Sequence, residues 1–243
     1  MGVELALAPE LARGVLATAQ RGRPAYVDHG SRGQPRVALS FDDGPGALTA
    51  DLLEVLGAHS ARATFNVLGK RVSGREPLLR RALADGHELG SHAWRHERLG
   101  GRPFEALRQL LRTNAALRRA TGRAPRVFRA PYGEVSAGVV RAARAAGLVT
   151  VGWDVDPRDY ETPGAAAIHD RVAAAVRPGS IVLLHDDRRA LGQTVVATER
   201  ILDTLAGRGL GVVTVSELLG LGAPGARRST RRSQLGRRSI SRV

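Results

Sequence analysis

The sequence predicts an α/β protein built as a parallel sheet that is closed, or nearly closed, as a barrel. Short apolar runs alternate along the chain with longer amphipathic stretches, which is the pattern of repeated strand–helix units. Several apolar runs end in polar side chains, and in such barrels the functional residues gather at the carboxyl ends of the strands. The length of 243 residues suits one domain of moderate size.

The predicted strands are the apolar runs. The first, Val37–Phe41, is broken at once by Gly44-Pro45. We expect strands at 36–41, 62–67, 87–90, 126–129, 148–153, 180–185 and 210–215. The amphipathic stretches between them predict helices at 47–58, 75–85, 103–120, 136–146, 163–176, 190–206 and 215–220. Because aromatic residues make up only 4% of the chain, we expect a core of Ala, Val and Leu.

Two adjacent carboxylates, Asp42 and Asp43, stand at the end of the first predicted strand. Burying two negative charges side by side is costly unless a cation offsets them. The pair therefore indicates a metal site, a catalytic acid or base, or both. The chain has no cysteine, which excludes a thiol nucleophile, and no Gly-x-Ser-x-Gly motif supports a serine hydrolase.

Two histidines four residues apart, His92 and His96, are candidates to complete such a site. On a helical turn this spacing puts both imidazoles on one face. Two imidazole nitrogens and one carboxylate make a three-ligand set with an open coordination position, as in catalytic zinc sites. The alternative is that both are ordinary surface histidines. We interpret His87, on the predicted strand, as structural.

Four further polar residues follow or end later predicted strands: Arg129, Asp156, Asp159 and His185. Each has an ordinary alternative. The arginine suits a surface ion pair, the two aspartates suit a turn beside a proline, and the histidine suits a helix cap or solvent. Their shared position at the ends of successive strands favours a common site.

These residues fall into five ordered motifs, and through them the chain resembles the polysaccharide deacetylases of the NodB-homology type (carbohydrate esterase family 4). The motifs are Ser40–Pro45, His92–His96, Arg129–Tyr132, Asp156–Tyr160 and Leu183–His185. The match spans about residues 35–218, and its order and spacing together make it specific. The resemblance implies a distorted (β/α) barrel of about seven parallel strands in a single domain.

The resemblance also implies how the first residues divide the chemistry. Asp43, His92 and His96 would hold one divalent metal, usually zinc, although cobalt and nickel accept similar nitrogen and oxygen ligands. Asp42 would be the general base for the attacking water. Arg129 would orient Asp42 and keep it ionised, because a nearby cation lowers a carboxylate pKa.

The remaining motif residues would serve the leaving group and the acetyl group. By the same resemblance, His185 would be the general acid, and Asp159 would orient it and stabilise its charged form. Leu183 and Tyr160 would line the acetyl pocket. The backbone N–H of Tyr132 would join the metal in stabilising the oxyanion.

Three positions depart from the family pattern. Tyr160 replaces the usual Trp, and Asn66 stands where a second aromatic residue is common. Ala93 stands where a small hydroxyl residue commonly follows the first metal histidine, which removes a possible hydrogen bond around the metal ligands. None of the three is a proposed metal ligand, acid or base, so we expect an active enzyme.

The implied function is a metal-dependent hydrolase that removes N-acetyl groups from an amino-sugar polymer or oligomer, peptidoglycan-like or chitin-like, with release of acetate. One alternative keeps this chemistry but takes a small cytoplasmic N-acylated metabolite as substrate. A second alternative is a non-catalytic protein that binds a polyanion or a glycan. The presence of Asp42 and His185 argues against it, because a binding protein needs neither.

The two ends of the chain differ from the deacetylase-like region, which we expect at 35–220. Residues 1–34 are expected to be a helical extension, and 221–243 a disordered arginine-rich tail. The net charge of the chain is +14, and the tail contains seven arginines and no acidic residue. This composition favours contact with a polyanion, and the alternative is a solvated extension without a specific role. We find no specific nucleic-acid motif. Residues 1–20 show neither a secretory signal nor a transmembrane segment, which predicts a cytoplasmic location, or an extracellular or cell-wall one if the start is truncated.

Overall fold

The computed structural model describes residues 26–188 and 192–221, which form eight strands and seven helices. The strands are β1 Tyr26–Val27, β2 Arg36–Asp42, β3 Thr64–Val67, β4 Glu88–Ser91, β5 Val127–Phe128, β6 Val149–Val151, β7 Ile181–His185 and β8 Gly211–Val212. The helices are α1 Thr49–Ala58, α2 Glu76–Ala84, α3 Pro103–Thr121, α4 Ala137–Ala145, α5 Ala165–Ala175, α6 Gly192–Gly207 and α7 Val215–Leu218. Short 3-10 turns at Gly69–Arg71, Pro131–Gly133 and Asp159–Glu161 follow β3, β5 and β6.

The strands form one sheet in which every neighbouring pair is parallel. Their order is β1-β6-β5-β4-β3-β2-β7, and β8 also pairs with β2. Two isolated bridges, His29 with Ser180 and Val155 with Val182, connect the β1–β6 edge to β7. The sheet is therefore curled nearly into a closed barrel, which confirms the predicted fold. Because the strands run in one direction, their carboxyl ends meet at one end of the barrel.

The register of β2 decides which side chains meet at that end. Its last residue, Asp42, pairs with Asn66 of β3 on one side and with His185 of β7 on the other. The pairing of Ser91 with Phe128 likewise brings the ends of β4 and β5 together. Residues far apart in sequence are thus neighbours because the sheet is parallel and in this register.

All the predicted strands and helices are present, with ends that differ by a few residues. The expected helical extension over 1–34 is wrong at Tyr26–Val27, which form β1 and pair with β6. A strand of two residues is too short to show an alternating pattern. Residues 1–25 and 222–243 lie outside the described part of the chain, so the rest of the expected helical extension, the disordered tail and its polyanion contact stay predictions.

The main core fills the space between the sheet and the surrounding helices. It is built mostly from Leu, Val and Ala, as the low aromatic content predicts, with one stacked pair, Phe41 and Phe65, at 5.2 Å between ring centroids. Burial of these apolar side chains is the main stabilising contribution to the barrel. No helix within the described ranges combines the length and apolar character needed to cross a membrane.

The amino ends of β3 and β4 are covered by α7, at the opposite end of the barrel from the five sequence motifs. The backbone N–H groups of Val215 and Ser216 donate to Thr64 Oγ1 at 2.8 Å and to Glu88 Oε2 at 2.9 Å. Thr64 Oγ1 also donates to Glu88 Oε2 at 2.9 Å. Glu88 thus satisfies donors at the start of α7, where an acidic group is favourable for the helix dipole.

Candidate active site

The carboxylate of Asp42 is buried at the end of β2 and accepts two hydrogen bonds on the same oxygen. Arg129 Nη1 donates to Asp42 Oδ1 at 2.9 Å, and Asn66 Nδ2 donates to it at 2.7 Å. Burial alone raises the pKa of Asp42, but Arg129, the nearby imidazoles and the Asn66 donor lower it below its ordinary value. Asp42 is therefore ionised at neutral pH, and neither donor engages its Oδ2.

Arg129 connects Asp42 with the histidine loop, because its side chain binds Asp42 and its backbone carbonyl group binds His92. Its buried guanidinium also donates through Nη2 to the carbonyl oxygen of Gly152 at 2.8 Å. Its own carbonyl oxygen accepts a hydrogen bond from His92 Nδ1 at 2.9 Å. This bond puts the proton of the neutral His92 ring on Nδ1, so that Nε2 presents its lone pair to the site.

Asp43, His92 and His96 form a compact group of potential metal ligands. Asp43 Oδ1 lies 3.5 Å from His92 Nε2 and 3.6 Å from His96 Nε2. The three ligand atoms all lie within 4.8 Å of one another. Asp43 has a positive φ of 75°, an uncommon conformation for a residue other than glycine, at the point where β2 ends.

The chemistry of this group fits a divalent metal. Asp43 Oδ1 is buried and has no hydrogen-bond partner within the described residues. Burial raises the pKa of Asp43, so its carboxylate needs a nearby positive charge to stay ionised. Burial also lowers the pKa of both His92 and His96, which keeps them neutral. A divalent metal ion requires neutral imidazoles and an ionised carboxylate as ligands. The two histidines are neutral, and the carboxylate oxygen of Asp43 has no other partner to compete with a metal ion.

The structure brings His92 and His96 together without the helical turn on which their spacing would place both imidazoles on one face. Both lie in an irregular loop after β4, and Ala93 between them has a φ of 63°. The loop begins where the His92 N–H donates to the Val67 carbonyl oxygen at 2.8 Å. It then turns back, so that the two imidazole centroids are 5.2 Å apart.

His185 stands at the end of β7 with its ring fixed by Asp159. The His185 Nδ1 donates to Asp159 Oδ1 at 2.7 Å, and the His185 backbone N–H donates to Asp159 Oδ2 at 2.9 Å. Thr194 Oγ1 donates to the same Oδ2 at 2.9 Å. Burial lowers the pKa of His185, but the hydrogen bond and charge of Asp159 outweigh it and raise the pKa to about 9. The ring is therefore held as an imidazolium with Nε2 as its remaining N–H donor.

Two tyrosines flank the group on its open side. Tyr132 is 55% exposed, and its ring packs edge-on against His96 at 4.3 Å between centroids. Tyr160 is 42% exposed and lies edge-on to His185 at 5.4 Å. Leu183 is buried on β7 two residues before His185, so both side chains project from the same face of the strand. All ten predicted site residues thus belong to strand ends or loops at one end of the barrel.

Sequence reasoning missed the contributions of two residues. Asn66 was noticed only as a departure from the family pattern, yet it is a donor to Asp42, a contact that the register of β3 against β2 produces. Asp186 is fully buried and accepts a hydrogen bond from Thr49 Oγ1, and burial raises its pKa to about 7. Its carboxylate lies against Gly44, so it supports the turn that follows Asp43. The position of Asp186 directly after His185 in the sequence is the signal that could have identified it.

Two neighbouring residues have ordinary structural roles, by the alternative given for Asp156 and by the interpretation given for His87. Asp156 is a turn residue, since its Oδ1 accepts the Arg158 backbone N–H at 2.8 Å. His87 is structural, since its Nδ1 accepts the Ala63 N–H at 3.1 Å just before β4, away from the strand carboxyl ends.

Comparisons with known proteins agree with this geometry. The family described as Polysaccharide deacetylase matches residues 29–151. A chitooligosaccharide deacetylase of Sinorhizobium fredii is 43% identical over 198 residues, which cover 75% of this chain and 91% of that protein. A solved peptidoglycan N-acetylglucosamine deacetylase, in complex with a naphthalenyl N-oxidanyl-benzamide, is 31% identical with a TM-score of 0.78, over 81% of this chain and 93% of that chain. A structure described as a CE4 family pseudoenzyme, from Bacillus anthracis, is 27% identical with a TM-score of 0.75. That match covers 81% of this chain and 69% of that chain.

Proposed function

Because the chain belongs to the polysaccharide deacetylase family, we propose that this site hydrolyses the N-acetyl amide of N-acetylglucosamine units in a glycan and releases acetate. Relatives are named as deacetylases of chitooligosaccharides and of peptidoglycan, and both substrates carry this amide. The chain is accordingly a hydrolase of amino-sugar polymers. The observation that carries the proposed chemistry is that Asp42 lies in register beside His185, next to a three-ligand group.

The metal is held in this proposal by Asp43, His92 and His96. Two imidazole nitrogens and one carboxylate oxygen favour zinc, and cobalt or nickel accept the same ligands. When bound, the ion would polarise the amide carbonyl and lower the pKa of water enough for attack near neutral pH. The hydrogen bond from His92 Nδ1 to the Arg129 carbonyl supports this assignment, because ligand histidines are commonly oriented in this way.

Asp42 is the general base in this mechanism. It stays ionised because Arg129 and Asn66 both donate to its Oδ1. The free Oδ2 can therefore accept a proton from the attacking water while the carboxylate is held in place. Proton removal by Asp42 lets the water oxygen bond to the acetyl carbon.

His185 is the general acid. Its Nδ1 is held by Asp159, so the proton on Nε2 is the one that passes to the amide nitrogen as the C–N bond breaks. The products are acetate and the free amine of the sugar. The backbone N–H of Tyr132 is assigned to the developing oxyanion, and Leu183 with Tyr160 to the acetyl pocket. The exposed rings of Tyr132 and Tyr160 offer apolar faces to a sugar ring.

A family member can have this fold without activity, as the Bacillus anthracis protein described as a pseudoenzyme illustrates. Turnover therefore depends on the catalytic side chains as well as on the fold, and this chain has them. Base, acid, and the partner that orients each of them occur together: Asp42 with Arg129, and His185 with Asp159.

Acetate release from N-acetylglucosamine oligomers of several lengths tests the proposal. The protein is treated with a chelator, and zinc or cobalt is then restored. We expect release only with metal, and His185→Ala should keep the metal but lose about 10²-fold or more of the rate. If the wild type binds one metal per chain and releases no acetate from any oligomer, this substrate class is wrong and small N-acylated metabolites become the candidates.

A further inference from the structure

The loop between the two histidine ligands has no regular structure of its own, yet it decides where His96 stands. Ala93 supplies no hydroxyl group to brace it and adopts the left-handed conformation that alanine disfavours. The backbone N–H groups of Gly69 and Lys70 donate to the carbonyl oxygens of Ala93 and Trp94, at 3.0 and 3.1 Å. These bonds restrain one side of the loop, and its own N–H groups need partners on the other side.

Gln109 of α3 provides those partners. Its Oε1 accepts the backbone N–H of Trp94 at 3.2 Å and that of Arg95 at 3.0 Å. Its Nε2 donates to Glu97 Oε2 at 3.1 Å and to Glu105 Oε1 at 2.9 Å. The side chain is only 3% exposed, and these four bonds use the full capacity of a primary amide. A glutamine saturated in this way fixes the loop to the helix.

The Trp94 ring strengthens the same connection. Arg112 of α3 lies over the ring at 3.8 Å from its centroid, and a side chain at Gly69 would collide with the ring. The cavity beside Trp94 measures about 50 Å³. That volume admits a water molecule but is far below that of a small-molecule site. The contacts of Trp94 with Arg112 and of its backbone with Gln109 therefore anchor the loop to α3.

We propose that Gln109 is a positioning residue for the metal site: by holding the 94–95 backbone against α3, it keeps His96 Nε2 within reach of Asp43 and His92. This inference rests on the metal site of the proposed function. Without the amide, two loop N–H groups lose their acceptor and two glutamates lose a shared donor. The loop then relaxes, and because it carries one of three ligands, metal affinity falls.

The test compares Gln109→Met, which keeps the length of the side chain but removes all four bonds, with the wild type. Zinc affinity is measured by competition with a chromophoric chelator, at a temperature well below the one at which the apoprotein unfolds. Bound cobalt is followed by its visible absorption, which reports coordination geometry. We expect affinity to fall about 10- to 100-fold and the cobalt spectrum to change. Gln109→Asn, whose shorter amide cannot reach the loop, should weaken binding in the same direction if Gln109→Met does not fold.

Leu117→Ala is the matched control, because Leu117 is buried on the same helix but packs in the main core. It should lower the thermal transition and leave zinc affinity and the cobalt spectrum unchanged. If the Gln109 variants behave like this control, Gln109 is a structural residue only and the inference is wrong. If the wild type itself binds no zinc, or His92→Ala binds it equally well, the metal site of the proposed function fails instead.

Discussion

Replacing Asp159 with asparagine should shift the alkaline limit of the pH–activity profile to lower pH. Activity on the acid side of the profile should remain almost unchanged. In the wild type burial lowers the pKa of His185, but the hydrogen bond and charge of Asp159, with further contributions from the charges of Asp42 and Asp43, raise it from 6.5 to about 9. That rise corresponds to about 3 kcal/mol in favour of the imidazolium. In Asp159→Asn the largest raising contribution is lost while burial remains, so the pKa of His185 should fall toward its ordinary value of 6.5.

The consequence for the rate follows from the protonated fraction of the general acid. At pH 8 the wild-type imidazole is mostly protonated, whereas a group of pKa 6.5 is protonated in about one molecule in thirty, so kcat/KM should fall about 30-fold. At pH 6 both forms are largely protonated, and the difference should be less than about twofold. The raised folded-state pKa also stabilises the wild-type fold below pH 6.5, and this contribution is lost as the pH rises through about 9.

The assay is the pH profile of acetate release with saturating metal. Glu161→Gln is the control, since Glu161 lies in the same loop but its exposed carboxylate accepts a hydrogen bond from Arg158 at 3.3 Å. Its profile should match that of the wild type. An equal loss of activity at pH 6 and pH 8 in Asp159→Asn would contradict this prediction, because it would mean that Asp159 does not set the protonation of His185.

Three further substitutions test other parts of the site and the fold. Asn66→Leu removes one of two donors to Asp42, so we expect kcat to fall about tenfold with metal content unchanged, measured by acetate release and elemental analysis. His92→Ala removes a ligand, so metal and turnover should be lost together. Glu88→Ala leaves donors of Ser216 unpaired at the opposite end of the barrel, so denaturant unfolding should show a loss of about 2–3 kcal/mol, with turnover per folded molecule unchanged.

The elements and much of the site could be predicted because their causes are local. An apolar run that stops at Asp42 marks both a strand and the end of that strand, and His185 marks another in the same way. The carboxyl ends of parallel strands lie at the same end of the barrel, so these side chains are expected to converge there once the strands are identified. The assignment of individual roles came from the family resemblance and not from the strand pattern.

The features that were missed depend on contacts between distant segments. The spacing of His92 and His96 is typical of a helical turn, but the two residues lie in a loop held by hydrogen bonds to other elements, which sequence periodicity does not reveal. Asn66 becomes a donor to Asp42 only through the register of β3 against β2. Gln109 reads in the sequence as an ordinary helix residue, because its four partners come from the loop and the first turn of α3.

The most direct test of the account separates metal binding from proton transfer. It is the measurement of metal content and acetate release, side by side, for Asp42→Asn. Asparagine keeps the size of the side chain and leaves Asp43, His92 and His96 in place, but it cannot accept a proton from water. We expect one metal per chain, as in the wild type, with turnover lost. Acetate release at the wild-type rate from Asp42→Asn would contradict it.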